Sequence, residues 1–468
     1  MTPMESSLEQ RLTHHVVDTG YPDLDAETVR CCKKLVMDSL GVVFPGSRAP
    51  GCPEIVELLR SWQSRAGASV MLTDVCAPPP MAAMANSAMM HALDFDDTLD
   101  ASALHTFVSV LPAALAAAEH RGGVDGRELI TALVLGVDVI CRISLAIARP
   151  LSWIRTATCG SFGAAAAAGK ILGLNREEMA NAFGVVYAQT SGNAQGLIEG
   201  RLVKRMQPGF AASAGVLSAF LAARGVTGSQ RFLTGPYGYY SLYERDDYHP
   251  ERITASLGEH FTVGDLSIKP FPCCRMTHSA IAAALKARER IASAEEIAHI
   301  RMSVSSMVAE MVGKPFRVGT NPQVDAQFSI PYTTACALIR GDVFLVDFEV
   351  DRISDPAVQE LARRVQVLPS PELPAKDIYQ AEMTVTRTDG EAFTERVAVP
   401  PGNPENPMSS RDCREKFHKC IDYSGLPIAE NARNELLSMI ETLEAIPDAG
   451  DLVRAMIPQD HRQASSEA

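Results

Sequence analysis

The stretch HALDFDDTLDASALHT, residues 91–106, places Asp94, Asp96, Asp97 and Asp100 within seven positions and flanks them with His91 and His105. It follows MAAMANSAMM, a small and apolar run that reads as a buried helix. A carboxylate taken out of water costs several kcal/mol unless it is paired or hydrogen-bonded, so this much charge at the end of a core helix calls for a use. Read as a continuing helix, the stretch sets Asp94 and Thr98 four apart on one face and turns Asp96 away. His105 follows. A histidine that titrates near neutrality beside an orienting carboxylate is a common proton-transfer device.

Two further readings compete. Asp96 to Asp100 spells D-D-x-x-D, a pattern that holds magnesium and a diphosphate in terpene synthases. That chemistry also needs a second metal motif of the N-D-x-x-S-x-x-x-E kind, which the sequence lacks. It further needs an aromatic-lined cavity, for which 6% aromatic residues and two tryptophans are a poor supply. The plain alternative is a solvated helix end with capping aspartates.

Cations gather in two other places. In GRLVKRMQPGFAASAG, residues 200–215, Lys204, Arg205 and Gly209 lead into a helix of small residues. This is either a solvated basic loop or an anion site at a helix start, where backbone N–H groups and the helix dipole favour negative charge. In SIKPFPCCRMTHSAIAAAL, residues 267–285, Lys269, Cys273, Cys274, Arg275 and His278 occupy a proline-constrained loop before a helix. Adjacent thiols without other ligands rarely bind metal. Phosphate-loop and dinucleotide motifs are both missing, so a nucleotide cofactor finds little support.

These groups must be positioned by a sizeable scaffold. A chain of 468 residues is too long for one core, and two domains are expected. A formal net charge of −13 argues against a nucleic-acid or anionic-membrane partner but leaves room for a small anionic substrate. Eleven scattered cysteines without C-x-x-C spacing suggest reduced thiols. With no apolar signal core and no uninterrupted apolar span, a cytoplasmic protein is expected. To about residue 265 the pattern is helical and alanine-rich, with Asp125 and Asn175 as helix caps. Beyond it, Ile300, Met302 and Val304 alternate as in a strand, and AEMTVTRTDGEAFTERVAV reads as two strands about an Asp389-Gly390 turn. QFSIPYTTACALIRG and DPAVQELARRVQV read as helices. The expected fold is mainly α. A large all-helical domain over 1–266 is completed by C-terminal helices at 405–457, a smaller α+β domain spans 267–404, and a disordered tail follows from 458.

Six stretches, HALDFDDT, LHTFVSVLPAALA, TATCGSFGAAAAAGKILGL, VKRMQPGFAASAGVLSAFLA, KPFPCCRMTHSAIAAAL and FSIPYTTACAL, follow one another between residues 91 and 338 in an order that resembles the MmgE/PrpD family, a resemblance that spans about residue 15 to 445. That family includes 2-methylcitrate dehydratase, cis-aconitate decarboxylase and iminodisuccinate epimerase. The resemblance implies a helical domain with a smaller lid domain, a cleft between them, a homodimer, and no metal or organic cofactor. It carries active-site roles to Asp94, Thr98, His105, Lys204, Lys269 and Tyr332. His105 is then expected as general base or acid, with Asp94 orienting it, Tyr332 moving a second proton, and Lys204 and Lys269 neutralising the aspartates. Two departures stand out. Decarboxylase-like members carry a histidine in the segment matching SWIRTATCG, where this chain has Ile154 and Arg155, and another where it has Cys274 and Arg275. Arg155 and Arg275 are expected to grip a substrate carboxylate, since guanidinium pairs with it bidentately, with Cys274 and His278 beside them. The implied activity is proton abstraction next to a carboxylate of a small polycarboxylate, dehydration before epimerisation or decarboxylation. An inert dimeric binding or scaffold protein is the alternative of another class.

Overall fold

The computed structural model describes residues 6–64, 67–150 and 153–457. The expected disordered tail lies outside them. The chain divides into two units, described separately. Unit 1 comprises 1–92, 96–266 and 410–468, and unit 2 comprises 93–95 and 267–409. The later boundary falls five residues beyond the expected 404. That residues 93–95 belong to unit 2 was signalled by nothing in the composition. Among the described residues, no helix is long and apolar enough to cross a membrane.

Unit 1 is built from α1 (Leu8–Asp18), α2 (Ala26–Gly46), α3 (Cys52–Ser61), α4 (Pro79–His91), α5 (Phe107–Arg121), α6 (Gly126–Leu145), α7 (Gly160–Ile171), α8 (Arg176–Tyr187) and α9 (Val203–Ala222). Asp125 and Asn175 accept from the N–H groups of Glu128 and Glu178, and so fix the starts of α6 and α8. The alanine and glycine content serves close approach. A Cβ on Gly209 of α9 would lie 2.6 Å from the Met84 carbonyl oxygen of α4, and one on Gly215 would lie 2.4 Å from the Ala164 Cβ of α7. Backbones this near can be reached only with small residues at the crossing.

Unit 2 contains α10 (His278–Arg288), β1 (Ile297–Val304), α11 (Ile330–Arg340), α12 (Pro356–Arg363), β2 (Val365–Pro369), β3 (Ala381–Arg387) and β4 (Ala392–Val397). The strand order is β2-β1-β3-β4, with β1 and β2 parallel and the other pairs antiparallel. Met302 faces Val367 on one side and Met383 on the other. Ile300, Met302, Val304, Met383 and Val385 are buried, and α10 and α11 pack on the sheet. The sequence reading of 355–367 as one helix is corrected here. The helix stops at Arg363, and Val365, Gln366 and Val367 alternate into β2, which β1 pairs as a neighbour from elsewhere in the chain. The chain then returns to unit 1 as α13 (Ser410–Ser424) and α14 (Glu430–Glu441), and α13 packs along α2.

Candidate active site

Helix α4 ends at His91, and the aspartate-rich stretch does not continue it, forming only a short 3-10 turn at Asp100–Ser102. Asp94 sits at φ +56°, in the left-handed region. The expected shared face of Asp94 and Thr98 therefore does not form. Instead Leu99 and Leu104 bridge antiparallel, with Leu99 N–H donating to Leu104 O at 2.7 Å. Thr98 is buried at the start of this loop, and the turn brings His105 back beside Asp96 and Asp97.

Each aspartate of the pair has its own task. Asp97 accepts from Thr106 N–H at 2.9 Å, Thr106 O–H at 2.8 Å and Phe107 N–H at 3.1 Å, so it caps the start of α5. Burial, and then the neighbouring Asp96 charge, push its carboxyl upward against these donors. Asp96 Oδ2 lies 2.9 Å from His91 Nδ1 and 2.9 Å from His105 Nδ1. Burial alone would raise this carboxyl too, yet the two imidazoles hold it well below the usual carboxylate range.

The tautomers follow from the acceptors. His105 Nδ1 is 2.7 Å from the Asp97 carbonyl oxygen, which can only accept, so Nδ1 carries the proton. Nε2 then bears the lone pair, and among the described residues it has no hydrogen-bond partner. The His105 side chain is 16% exposed, against 2% for His91. His91 Nδ1 donates to Asp96, and its Nε2 accepts from Lys204 Nζ at 3.1 Å. Burial, and then the Lys204 charge, push the His91 imidazole down to about 4, so it is neutral at pH 7. Lys204 stands in the first turn of α9, which runs antiparallel to α4, and the Gly209–Met84 approach sets their spacing.

Arg155 and Thr156 brace this loop from behind. Arg155 donates to Ser102 Oγ at 3.3 Å and to Arg149 O at 2.7 Å, and Thr156 Oγ1 accepts from the His105 N–H at 3.1 Å. These Arg155 donors anchor the His105 loop. Behind the aspartates, Asp38 of α2 pairs with Lys416 of α13, both buried. Burial pushes Asp38 up to about 6; Lys416 opposes this, and the charges of Asp97 and Asp96 add to it.

The remaining expected residues belong to unit 2. Lys269, 2% exposed, donates to Asp94 O at 2.9 Å and lies 3.4 Å from Asp94 Oδ1. The left-handed turn at Asp94 lets carbonyl and carboxylate reach the same ammonium. Asp94 thus pairs with Lys269, while Asp96 holds the orienting position at His105 that was assigned to Asp94. Gln327 ties the crossing segment down by donating to Leu93 O and Pro272 O, and accepts from Cys274 N–H through its own carbonyl. Arg275 donates to Pro401 O at 2.9 Å, Ser267 Oγ at 3.2 Å and His278 Nδ1 at 3.2 Å. His278 in turn donates from Nε2 to Cys273 O. Burial, and then Arg275 and Lys269, hold it neutral. His278 is therefore a positioning residue for Arg275. Tyr332 is fully buried among Phe316 and Phe348, its hydroxyl donates to Asp347 O, and burial raises its pKa. In this arrangement its hydroxyl proton is engaged by a backbone carbonyl.

Sequence reasoning missed His91, Asp96 and Thr156. The five-residue step from His91 to Asp96 was a usable signal once the helix was seen to stop, but an assumed helix put Asp96 on the wrong face. His91, Asp96 and His105 also bring three potential metal-ligand atoms within 4.8 Å of one another. The donor set fits a metal poorly. Both Nδ1 atoms sit at hydrogen-bonding distance from one oxygen, closer than the ~3.3 Å between ligands on a tetrahedral zinc with bonds of about 2.0 Å. The far nitrogen of His91 also faces an ammonium.

A family model for the MmgE/PrpD N-terminal domain matches residues 10–251, and one for the MmgE/PrpD C-terminal domain matches 271–442. The chain belongs to the MmgE/PrpD family. Relatives include cis-aconitate decarboxylase of Mus musculus, 27% identical over 92% of this chain and 89% of that one. The Homo sapiens enzyme of the same name is 27% identical over 94% and 92%. The Aspergillus terreus cis-aconitate decarboxylase is 26% identical over 97% and 96%. The family match covers both units, so the MmgE/PrpD assignment does not rest on the helical part alone.

Proposed function

We propose that this chain is a lyase acting on a small di- or tricarboxylate by moving a proton at a carbon next to a carboxylate. The observation that carries this reading is His105, whose Nδ1 proton is held by Asp97 O and Asp96 while Nε2 stays open. An imidazole in that tautomer accepts a proton at Nε2, and the imidazolium it becomes rests against ionised Asp96. The charge left on the substrate spreads onto carboxylate oxygens, where the Lys204 ammonium in the same cluster stabilises it.

Dehydration is the outcome we favour. His105 takes the proton from carbon, the neighbouring C–O bond breaks, and the imidazolium returns the proton to the departing hydroxide as water, leaving an alkene. It is preferred because Arg155 and Cys274 occupy positions where decarboxylase-like members carry histidine. Decarboxylation is the second reading, supported by the names of the relatives. Epimerisation would use the same first step. We further propose that turnover needs no metal or organic cofactor and that the working protein is a homodimer.

The test is solvent exchange. The protein is incubated in D₂O with citrate, 2-methylcitrate, aconitate and iminodisuccinate analogues, with and without EDTA, and the C–H signals are followed by NMR. An alkene appearing equally with and without EDTA is the expected result. Release of CO₂ moves the assignment to decarboxylation, and deuterium entering a stereocentre without net loss moves it to epimerisation. If no acid in a broad panel exchanges a proton and none raises Tm, the proposal fails and the inert-scaffold reading replaces it.

A further inference from the structure

Lys204 Nζ is hydrogen-bonded to His91 Nε2 at 3.1 Å and His91 Nδ1 to Asp96 Oδ2 at 2.9 Å, and the same Asp96 oxygen lies 2.9 Å from His105 Nδ1, whose N–H is directed to the Asp97 carbonyl oxygen at 2.7 Å. Its four members come from α4, the loop after it, the end of the 99–104 turn and the first turn of α9. The second oxygen, Asp96 Oδ1, is buried and accepts no hydrogen bond among the described residues. The carboxylate therefore accepts its hydrogen bond from His91 Nδ1 and has the His105 N–H as its other near donor. A buried acceptor of this kind dictates the proton position on both rings, because an unprotonated Nδ1 facing it would leave two acceptors in contact without a donor.

We propose that His91 and Asp96 are positioning residues that couple the two ends of this chain, fixing His105 as a base through Nε2 and Lys204 as an oriented cation. Asp96 forces His91 into the Nδ1–H tautomer, and that exposes the Nε2 lone pair on which Lys204 is held. The same oxygen, at 2.9 Å, and the Asp97 carbonyl oxygen, at 2.7 Å, are both acceptors facing His105 Nδ1, and together they require the Nδ1–H tautomer and so open its Nε2. One buried carboxylate thereby links the cation, through His91, to the base, which it sets jointly with the Asp97 carbonyl. The charged groups around it are Asp97 on the same loop, Asp38 of α2 and Lys416 of α13; the Asp97 acceptors are filled by the start of α5, and Asp38 is paired with Lys416. This coupling gives the proposed carbon-acid chemistry its positioning, but its existence can be measured without any substrate.

The Nδ1–H form is the rarer tautomer of free histidine, which makes it diagnostic. The full chain is labelled with ¹⁵N-histidine, and long-range ¹H–¹⁵N correlations are recorded at pH 7.5, with His91 and His105 assigned through His91→Asn and His105→Asn. Both rings are expected as neutral Nδ1–H tautomers. An Nε2–H tautomer at either position overturns the proposal, and this measurement requires no variant to behave as wild type. Two further variants split the chain. In His91→Asn the amide nitrogen takes the place of Nδ1 and keeps the donation to Asp96. In His91→Gln the terminal amide takes the place of Nε2 and keeps the acceptor for Lys204. On the substrate found by exchange, H91Q is expected to lose about 10- to 100-fold in kcat, and H91N chiefly to raise KM by a similar factor. The reverse split, or two variants equal to wild type, overturns the coupling. Correct tautomers without exchange on any acid would sink the proposed function and leave the coupling standing. Exchange with the wrong tautomers would do the opposite.

Discussion

Replacing His91 by asparagine should change how stability responds to acid. In the folded chain the His91 imidazole is pushed down to about 4, from the 6.5 of a free histidine, by burial and the Lys204 charge. Above pH 6.5 it is neutral in both folded and unfolded states, so its contribution is constant. As pH falls from 6.5 to 4, the unfolded chain takes up a proton that the folded chain refuses, and stability is lost through that window. Holding the imidazole neutral down to about pH 4 corresponds to about 3 kcal/mol, most of it gone by pH 4.5. The side chain is 2% exposed, so solvent screening does little to reduce this. Asparagine removes the titrating group and keeps a donor toward Asp96, whose own titration lies below the window. Other carboxylates act equally on both proteins and cancel in the difference. The assay is urea unfolding at pH 7.5, 6.5, 5.5 and 4.5. The two tryptophans, Trp62 and Trp153, both belong to unit 1, so their fluorescence reports its unfolding. Wild type should lose about 2 to 3 kcal/mol more than H91N between pH 7.5 and 4.5. Parallel profiles would refute the claim that His91 is kept neutral.

His105→Ala should lower kcat by about two to four orders of magnitude with little change in Tm, because the side chain is partly exposed and fills no core; an unchanged kcat removes it from the mechanism. Tyr332→Phe should cost about 1 kcal/mol in unfolding free energy through the lost bond to Asp347 O and leave kcat within about twofold. A hundredfold drop in kcat would restore the tyrosine as a proton carrier. Gly209→Ala sets a helix-propensity gain of about 1 kcal/mol against an overpacking cost of about 1–3 kcal/mol, since the new Cβ meets the Met84 carbonyl oxygen at 2.6 Å. The net should be a modest loss of stability and a raised KM as α9 carries Lys204 away from His91; a stabilised variant with unchanged kinetics would show that the crossing does not set their spacing.

Much of the architecture was legible because the period of the pattern changes with the fold. Helical spacing with capping residues at Asp125 and Asn175 identified α6 and α8, and alternation around Asp389-Gly390 identified β3 and β4. β2 was missed because five residues following a helix carry too little pattern of their own, and its partner β1 lies far away in sequence. At the site, residue types were legible but pairings were not. His105 and Lys204 stood out as chemistry-bearing groups. The exchange of roles between Asp94 and Asp96 turned on the left-handed backbone at Asp94, which only tertiary contacts decide for a non-glycine residue. Arg155 and Tyr332 show the converse. A group whose type suits binding or proton transfer also holds a loop or a core when buried carbonyls and hydroxyls nearby require a donor, and the sequence does not show those bonds.

The return of the chain to unit 1 at Ser410 has a consequence for how the protein comes off the ribosome. Unit 2 is complete, apart from its short 93–95 segment, as soon as residue 409 has emerged. Unit 1 has by then been waiting through more than a hundred residues of synthesis without α13. During that interval Asp38 on α2 has no Lys416, and closing the helical core around it would strand a bare carboxylate. The last part of unit 1 to be made thus carries the cation that permits its first part to close. A message truncated shortly before α13 should yield an aggregation-prone helical unit beside a well-formed sheet, and supplying residues 410–457 as a separate peptide should rescue the former without affecting the latter.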